Sequence, residues 1–155
     1  MKARTLVVLV LAAGLCACRS SSAPADEKAP PVNDKDISCS FSHPEVDAAS
    51  LKQLPRPVRE YIKSTIGEMA DRGEFFNVGD AISRPAPFDR FIRGGTLKST
   101  AGEKWFFWFE HGGIAYWKQI VVLSKNDSDS AELYSQKHAE FGSDLCAQTD
   151  AILVQ

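Results

Sequence analysis

The chain is poor in the residues that most often carry metal or nucleophilic chemistry. It has three histidines and four cysteines among 155 residues. His43, His111 and His138 are widely separated and lack zinc-site spacing such as H-x₃-H or H-E-x-x-H. We therefore predict no metal and no cofactor, and we expect each histidine to be structural or to lie at the surface.

Other chemical signatures are missing too. No serine lies in a G-x-S-x-G turn, and the segment RGGTLKS lacks the spacing of a phosphate-binding loop. No apolar run reaches the roughly 20 residues of a membrane-spanning helix. The sequence predicts no reaction, so whether the protein is an enzyme stays open, and a role without catalysis is favoured.

The first residues resemble a bacterial secretory signal peptide. Lys2 and Arg4 supply the positive start, and an apolar stretch of the expected length runs from Leu6 to Leu15. The following LCAC, Leu15 to Cys18, resembles the lipobox of lipoprotein precursors.

This resemblance implies that residues 1–17 are removed and that Cys18 is lipidated. A cut before Cys16 would place bulky Leu15 next to the cleaved bond and is less favoured. An ordinary secreted protein, cut near Ala17, is the other interpretation. In lipoproteins an Asp after the lipidated Cys commonly retains the protein in the inner membrane. Arg19 occupies that place, so the resemblance implies an outer-membrane lipoprotein that faces the periplasm.

A tether is predicted between the anchor and the domain, over residues 18–36. Its segment RSSSAPADEKAPPVNDKD is rich in Ser, Ala, Pro and charge, and cannot bury enough apolar surface to offset its chain entropy. The expected partners are the membrane, through the anchor, and an envelope protein.

The charge balance argues against nucleic acid as a partner. Without the leader, 16 basic residues face 20 acidic ones, a formal charge of −4. Proteins that bind nucleic acid usually need a basic field.

Two cysteines remain beyond the anchor, Cys39 and Cys146. In an oxidising compartment they are expected to form one disulfide that ties the start of the domain to its end. A redox-active pair is the alternative, but such pairs are usually close in sequence.

Residues 37–155 are predicted to form one small α+β domain. The order is an N-terminal amphipathic helix, an antiparallel meander of four or five strands, and a short C-terminal helix. The first helix is expected in LPRPVREYIKSTIGEMADRG, from Pro57 to the stop at Gly73, with one apolar stripe. The last is expected within 142–154.

The strands are predicted from apolar runs and turn residues. Candidate strands are 73–83, 88–99 with a bulge or bend at Gly94-Gly95, 105–110, and 114–125 after a tight His111–Gly113 turn. Residues 131–141 fit either a helix or a strand, and the strand is favoured because they lack a helical apolar stripe.

The aromatic stretch KWFFWFEHGGIAYWK is the most unusual feature. Both faces of this predicted hairpin are apolar, so each needs a cover. Either two helices cover them, or one face is an exposed binding surface. The candidate binding residues form two sets, which are Phe106, Trp108 and Trp117 on one face and Trp105 and Tyr116 on the other.

Three functions are compatible with these observations. The first is a lipid-anchored periplasmic module that binds a partner without catalysis. The second is a small-ligand-binding or hydrolytic domain with its site in a curved sheet, by analogy of fold alone. The third is a periplasmic inhibitor of lysozymes or proteases.

Overall fold

A computed structural model describes residues 31–79, 85–100, 102–126, 129–139, 142 and 144–154. These residues form a mainly β fold, with six strands in one mostly antiparallel sheet and three short α-helices. The strands are β1 (Glu45–Ala48), β2 (Met69–Ala70), β3 (Asp89–Ser99), β4 (Gly102–His111), β5 (Trp117–Lys125) and β6 (Ala131–His138). The α-helices are α1 (Asp34–Ser38), α2 (Arg56–Tyr61) and α3 (Leu145–Leu153).

The predicted meander is present. Strands β3, β4, β5 and β6 are antiparallel neighbours in chain order, and β1 pairs with the outer edge of the same β3. Residues 131–138 form a strand, as favoured, because they pair along β5. The predicted combination of helices with an antiparallel sheet is confirmed. The fold is mainly β, however, because the sheet dominates and the helices are short. No helix in the described part of the chain is both long and apolar enough to cross a membrane.

The first amphipathic helix is shorter than predicted. A 3₁₀ turn, Leu51–Gln53, precedes α2, and a π-helical turn, Ile62–Ile66, follows it. The chain then leaves the helix at Gly67, whose φ of 107° suits glycine alone. The predicted end at Gly73 is therefore wrong, because the next residues form β2, which pairs in parallel with β3.

Two further strand predictions need correction. Residues 73–79 form no strand, and 80–83 lie outside the described residues. The predicted bulge at Gly94-Gly95 is also misplaced, since the register shifts between Phe91 and Arg93 instead. Gly95 serves close packing, because a Cβ there would lie 2.1 Å from the Val46 carbonyl oxygen.

Both faces of the sheet are covered. On one face α2 and its neighbouring turns pack against a cluster that contains Trp105, Phe107 and Phe109. On the other, α3 and the N-terminal segment pack against a cluster that contains Phe106 and Trp108. The two-helix explanation of the aromatic hairpin is thus the one that the structure supports.

A disulfide and one arginine join the elements on the α3 side. Cys39 and Cys146 are bonded, as predicted, with their Cα atoms 5.9 Å apart. Buried Arg93 donates to the Cys39 carbonyl oxygen at 2.7 Å and forms ion pairs with Glu45 and Asp47. Burial raises the pKa of Glu45, and the charge of Arg93 offsets this only in part.

The N-terminal segment is held against the domain. Residues Val32 and Ile37 pack on the α3-side cluster, and Asp36 forms a buried ion pair with Lys118. Val32 and Asp36 lie in the segment that the sequence assigns to the tether, yet both contact the folded domain. The domain therefore begins before residue 37.

Candidate functional site

Most of the predicted binding residues lie in the core. Phe106 and Trp108 are fully buried, and Trp105 is nearly so. The Trp108 indole N–H donates to the Thr149 hydroxyl at 3.0 Å, which satisfies its polar atom inside the protein. These three side chains hold the sheet together and do not form a contact surface.

Trp117 and Tyr116 lie elsewhere, and the predicted faces of both need correction. The turn is longer than His111–Gly113, because β5 begins only at Trp117. Trp117 pairs with His111, which places it on the face of Phe109 and not on that of Trp108. Tyr116 ends the loop, and its hydroxyl donates to Glu110 at 2.5 Å.

Trp117 borders a groove between the π-helical turn and the sheet, which we call the sheet groove. It has a volume of about 450 Å³, within the range of small-ligand sites. The helical side supplies Tyr61, Thr65 and Ile66. The sheet side supplies Phe109, Trp117, Gln119, Val121, Gln136 and His138.

Two histidines flank the Trp117 ring. His111 stacks on it with centroids 4.8 Å apart, and His138 meets it edge-on at 4.7 Å. The His111 Nδ1 lies 2.6 Å from an Asp89 carboxylate oxygen. The His111 imidazole is therefore held both by Asp89 and by its stacking on Trp117. These contacts fix the orientation of Trp117 at the edge of the groove.

The polar lining of the sheet groove is uncharged apart from any proton on His138. Gln119 is 6 % exposed, and its side chain makes no hydrogen bond to another described residue. Gln136 faces the groove from β6, and Tyr61 and Thr65 add hydroxyl groups. Amides and hydroxyls both donate and accept hydrogen bonds, so they suit a neutral polar ligand.

Acid-base chemistry has little support in this groove. Among the described residues that line it, there is no carboxylate and no thiol. The Asp89–His111 pair lies beyond Trp117, beside a second hollow at the hairpin loop. The nearby Gly112 and Gly113 amides donate to backbone carbonyls, so they are not free to stabilise an oxyanion.

Ser42, His43 and Asp150 form a second cluster, at the start of the domain and on α3. Asp150 lies 3.0 Å from His43 Nδ1, and the Ser42 hydroxyl lies 3.3 Å from the same nitrogen. A catalytic triad needs the serine and the carboxylate on opposite ring nitrogens. This cluster therefore joins the N-terminal segment to α3 and is not a nucleophile site.

A potential metal-ligand grouping is already used by the disulfide. Atoms of Cys39, Asp144 and Cys146 lie within 4.8 Å of one another. Both sulfur atoms are bonded to each other, and a disulfide is not the thiolate that binds metal ions.

An ion pair is buried behind the hairpin loop. Arg90 and Glu110 are almost fully buried and 2.5 Å apart, and the Arg90 guanidinium also lies over the Phe76 ring. Burial, together with the hydrogen bond to Glu110, raises the pKa of Tyr116 well above its usual range. Tyr116 is thus a neutral donor that pins the end of the loop.

No pattern in the sequence indicates that His111 and His138 meet at Trp117. Their positions depend on two registers, His111 opposite Trp117 on β4 and β5, and Gln119 opposite His138 on β5 and β6. Only the pairing across β4, β5 and β6 brings them together.

Comparison with known proteins identifies no relative. No protein-family model, no curated protein and no solved structure matches the chain.

Proposed function

We propose that the protein is a lipid-anchored periplasmic binding module without catalytic activity, and that the sheet groove is its ligand site. Cys18 carries the anchor in this proposal, and it lies outside the described residues. The observation that carries the binding role is the lining of the groove, in which an oriented tryptophan stands beside two uncharged amides.

The lining favours binding over hydrolysis. A hydrolytic site needs a nucleophile or an activated water together with a group that moves a proton. The described lining includes His138, which can move a proton, but it has no carboxylate to orient that ring and no thiol to act as a nucleophile. The Gln119 side chain is largely buried, but its polar atoms are not enclosed, so they can exchange solvent for the polar groups of a ligand.

The ligand class follows from the same groups. Gln119 and Gln136 pair best with amide or hydroxyl groups, while Trp117 and Tyr61 contact an apolar ring or methyl group. An uncharged compound that carries acetamido or hydroxyl groups fits both requirements.

Tryptophan fluorescence tests the proposal. We would titrate the full chain with N-acetylated dipeptide amides and with N-acetylglucosamine oligomers, at up to millimolar concentration. A saturable shift is expected, and both Trp117→Phe and Gln136→Ala should reduce it. Glu132→Gln, an exposed change on the same strand β6 outside the groove, serves as the matched control. Equal responses of Gln136→Ala and Glu132→Gln would show that the groove is not the site.

A further inference from the structure

Apolar side chains collect at one end of the sheet, around the loop between β4 and β5. Ile114 is 93 % exposed, Tyr116 49 %, Val78 39 % and Phe88 36 %. The loop sequence from 112 to 116 is GGIAY and contains no charged residue. We call Val78, Phe88, Ile114, Ala115 and Tyr116 the tip patch.

The tip patch is held in one shape by backbone hydrogen bonds. The Gly112 amide donates to the Phe88 carbonyl oxygen at 2.7 Å, and the Gly113 amide donates to that of Val78 at 3.1 Å. The Tyr116 hydroxyl is fixed on Glu110. These hydrogen bonds tie the loop to the segments that carry Val78 and Phe88, and Phe88, Ile114 and Ala115 line one hollow there.

The tether enters the domain at the same end of the sheet. Asp36 in α1 forms its ion pair with Lys118, which lies only two residues after Tyr116. The chain that leads from Cys18 therefore ends beside the tip patch.

This entry point limits the distance between the tip patch and the proposed anchor. About 15 residues separate Cys18 from Asn33, and a chain of that length spans at most about 50 Å. A membrane that holds the lipid on Cys18 is consequently present at high effective concentration around the tip patch.

The size and composition of the tip patch suit a lipid surface better than a protein. A stable protein interface takes roughly 20–30 residues from each partner, whereas the tip patch consists of five. An anchored domain needs little additional apolar contact to hold one orientation. Tyrosine is also enriched at the boundary between head groups and acyl chains, and Tyr116 is half exposed.

We infer that the tip patch docks on the lipid bilayer that carries the anchor, with Ile114 and Tyr116 at the level of the head groups. The inference rests on the proposed lipid anchor and deepens it, because it adds an orientation to the attachment. In this orientation the hairpin loop faces the membrane.

Quenching by brominated lipids tests this orientation. The Ile114→Trp variant, processed in the cells that produce it, would be reconstituted in phosphatidylethanolamine–phosphatidylglycerol vesicles. The vesicles would be made with and without lipids whose acyl chains are dibrominated near the head groups. Leu133→Trp, at an exposed position on β6, is the matched control. The added tryptophan at 114 should lose roughly half of its fluorescence, since docked apolar groups reach about 5–10 Å into the boundary. The one at 133 should not change.

Each other outcome contradicts the inference in a distinct way. If the protein floats with the vesicles and the two variants are quenched alike, the tip patch does not dock, although the anchor stands. If position 114 is protected from acrylamide but not quenched by brominated lipid, a protein or a second copy covers it. If the protein does not float, the anchor and the inference fail together.

Discussion

Single buried charges hold distant parts of this chain together. Arg93 is the main example, since its guanidinium contacts Glu45, Asp47 and the Cys39 carbonyl oxygen at once. It also lies over the Phe41 and Trp108 rings. A planar group with five donors can satisfy these partners together, and lysine cannot.

Loss of Arg93 should therefore be costly. We expect Arg93→Met to lower the free energy of unfolding by about 1–3 kcal/mol, because the Cys39 carbonyl oxygen and the partly buried Glu45 lose their hydrogen bonds. Urea denaturation measures the effect. Arg56→Met removes an exposed arginine on α2 and should change stability by no more than about 0.5 kcal/mol. Similar losses in the two variants would contradict the role given to Arg93.

Asp150 gives a pH dependence with a defined sign. Burial raises its pKa, but hydrogen bonds from the Ser42 amide, His43 and the Ser42 hydroxyl outweigh this, so the pKa lies below its ordinary value. A carboxylate of this kind stabilises the fold above its unfolded pKa of about 3.9, and the contribution is lost as pH falls through the folded pKa.

Asp150→Asn should accordingly flatten the acid limb of the stability curve. The measurement is the free energy of unfolding from neutral pH down to about pH 2, where wild type should lose the stabilisation that the variant never has. Asp129→Asn removes an exposed carboxylate and is the control. An unchanged slope in Asp150→Asn would show that this carboxylate has the same pKa folded and unfolded.

At the scale of elements, alternation and turn chemistry identified much of the sheet. Strands β3 to β6 and helix α3 lie close to where periodicity placed them, because their apolar residues have partners within the next few elements. The end of α2 and the absence of a strand at 73–79 were missed. The helix ends early because β2 pairs with β3, and a strand of only two residues leaves no recognisable pattern in the sequence.

The candidate site was far less predictable than the fold. The aromatic composition of KWFFWFEHGGIAYWK makes it a candidate binding surface, yet most of its rings are buried in the core. Trp117 was assigned to the wrong face because alternation was extended through a turn whose length was misjudged. The groove also needs Tyr61 from the helical side and Gln136 from β6, and no local signal connects these residues.

Gly95 tests how tightly β1 lies against β3. Its φ is 154°, and an added Cβ would lie 2.1 Å from the Val46 carbonyl oxygen, so the strands would have to separate. We expect Gly95→Ala to cost at least roughly 1–3 kcal/mol. It should also accelerate hydrogen exchange in β1. Gly79→Ala meets nothing within 4 Å and is the control. Equal stability of the two variants would contradict this close approach.

At the scale of the whole molecule, the start and the end of the described domain meet at one side of the sheet, near Cys39 and Cys146. The disulfide joins residues 107 positions apart, and the Ser42–His43–Asp150 cluster adds polar contacts between the same regions. The opposite side carries the sheet groove. In the proposed orientation the tether and the tip patch share the membrane end.

The proposed function and the proposed orientation both require the attachment of this domain to a membrane through Cys18. Intact-mass and peptide mass spectrometry of the protein, purified from the membrane fraction of the cells that produce it, measures this directly. We predict a chain that begins at Cys18 and carries a diacylglyceryl group, with Cys39 and Cys146 still bonded to each other. A mature chain without lipid, cut near Ala17 and recovered in the soluble fraction, would contradict the account.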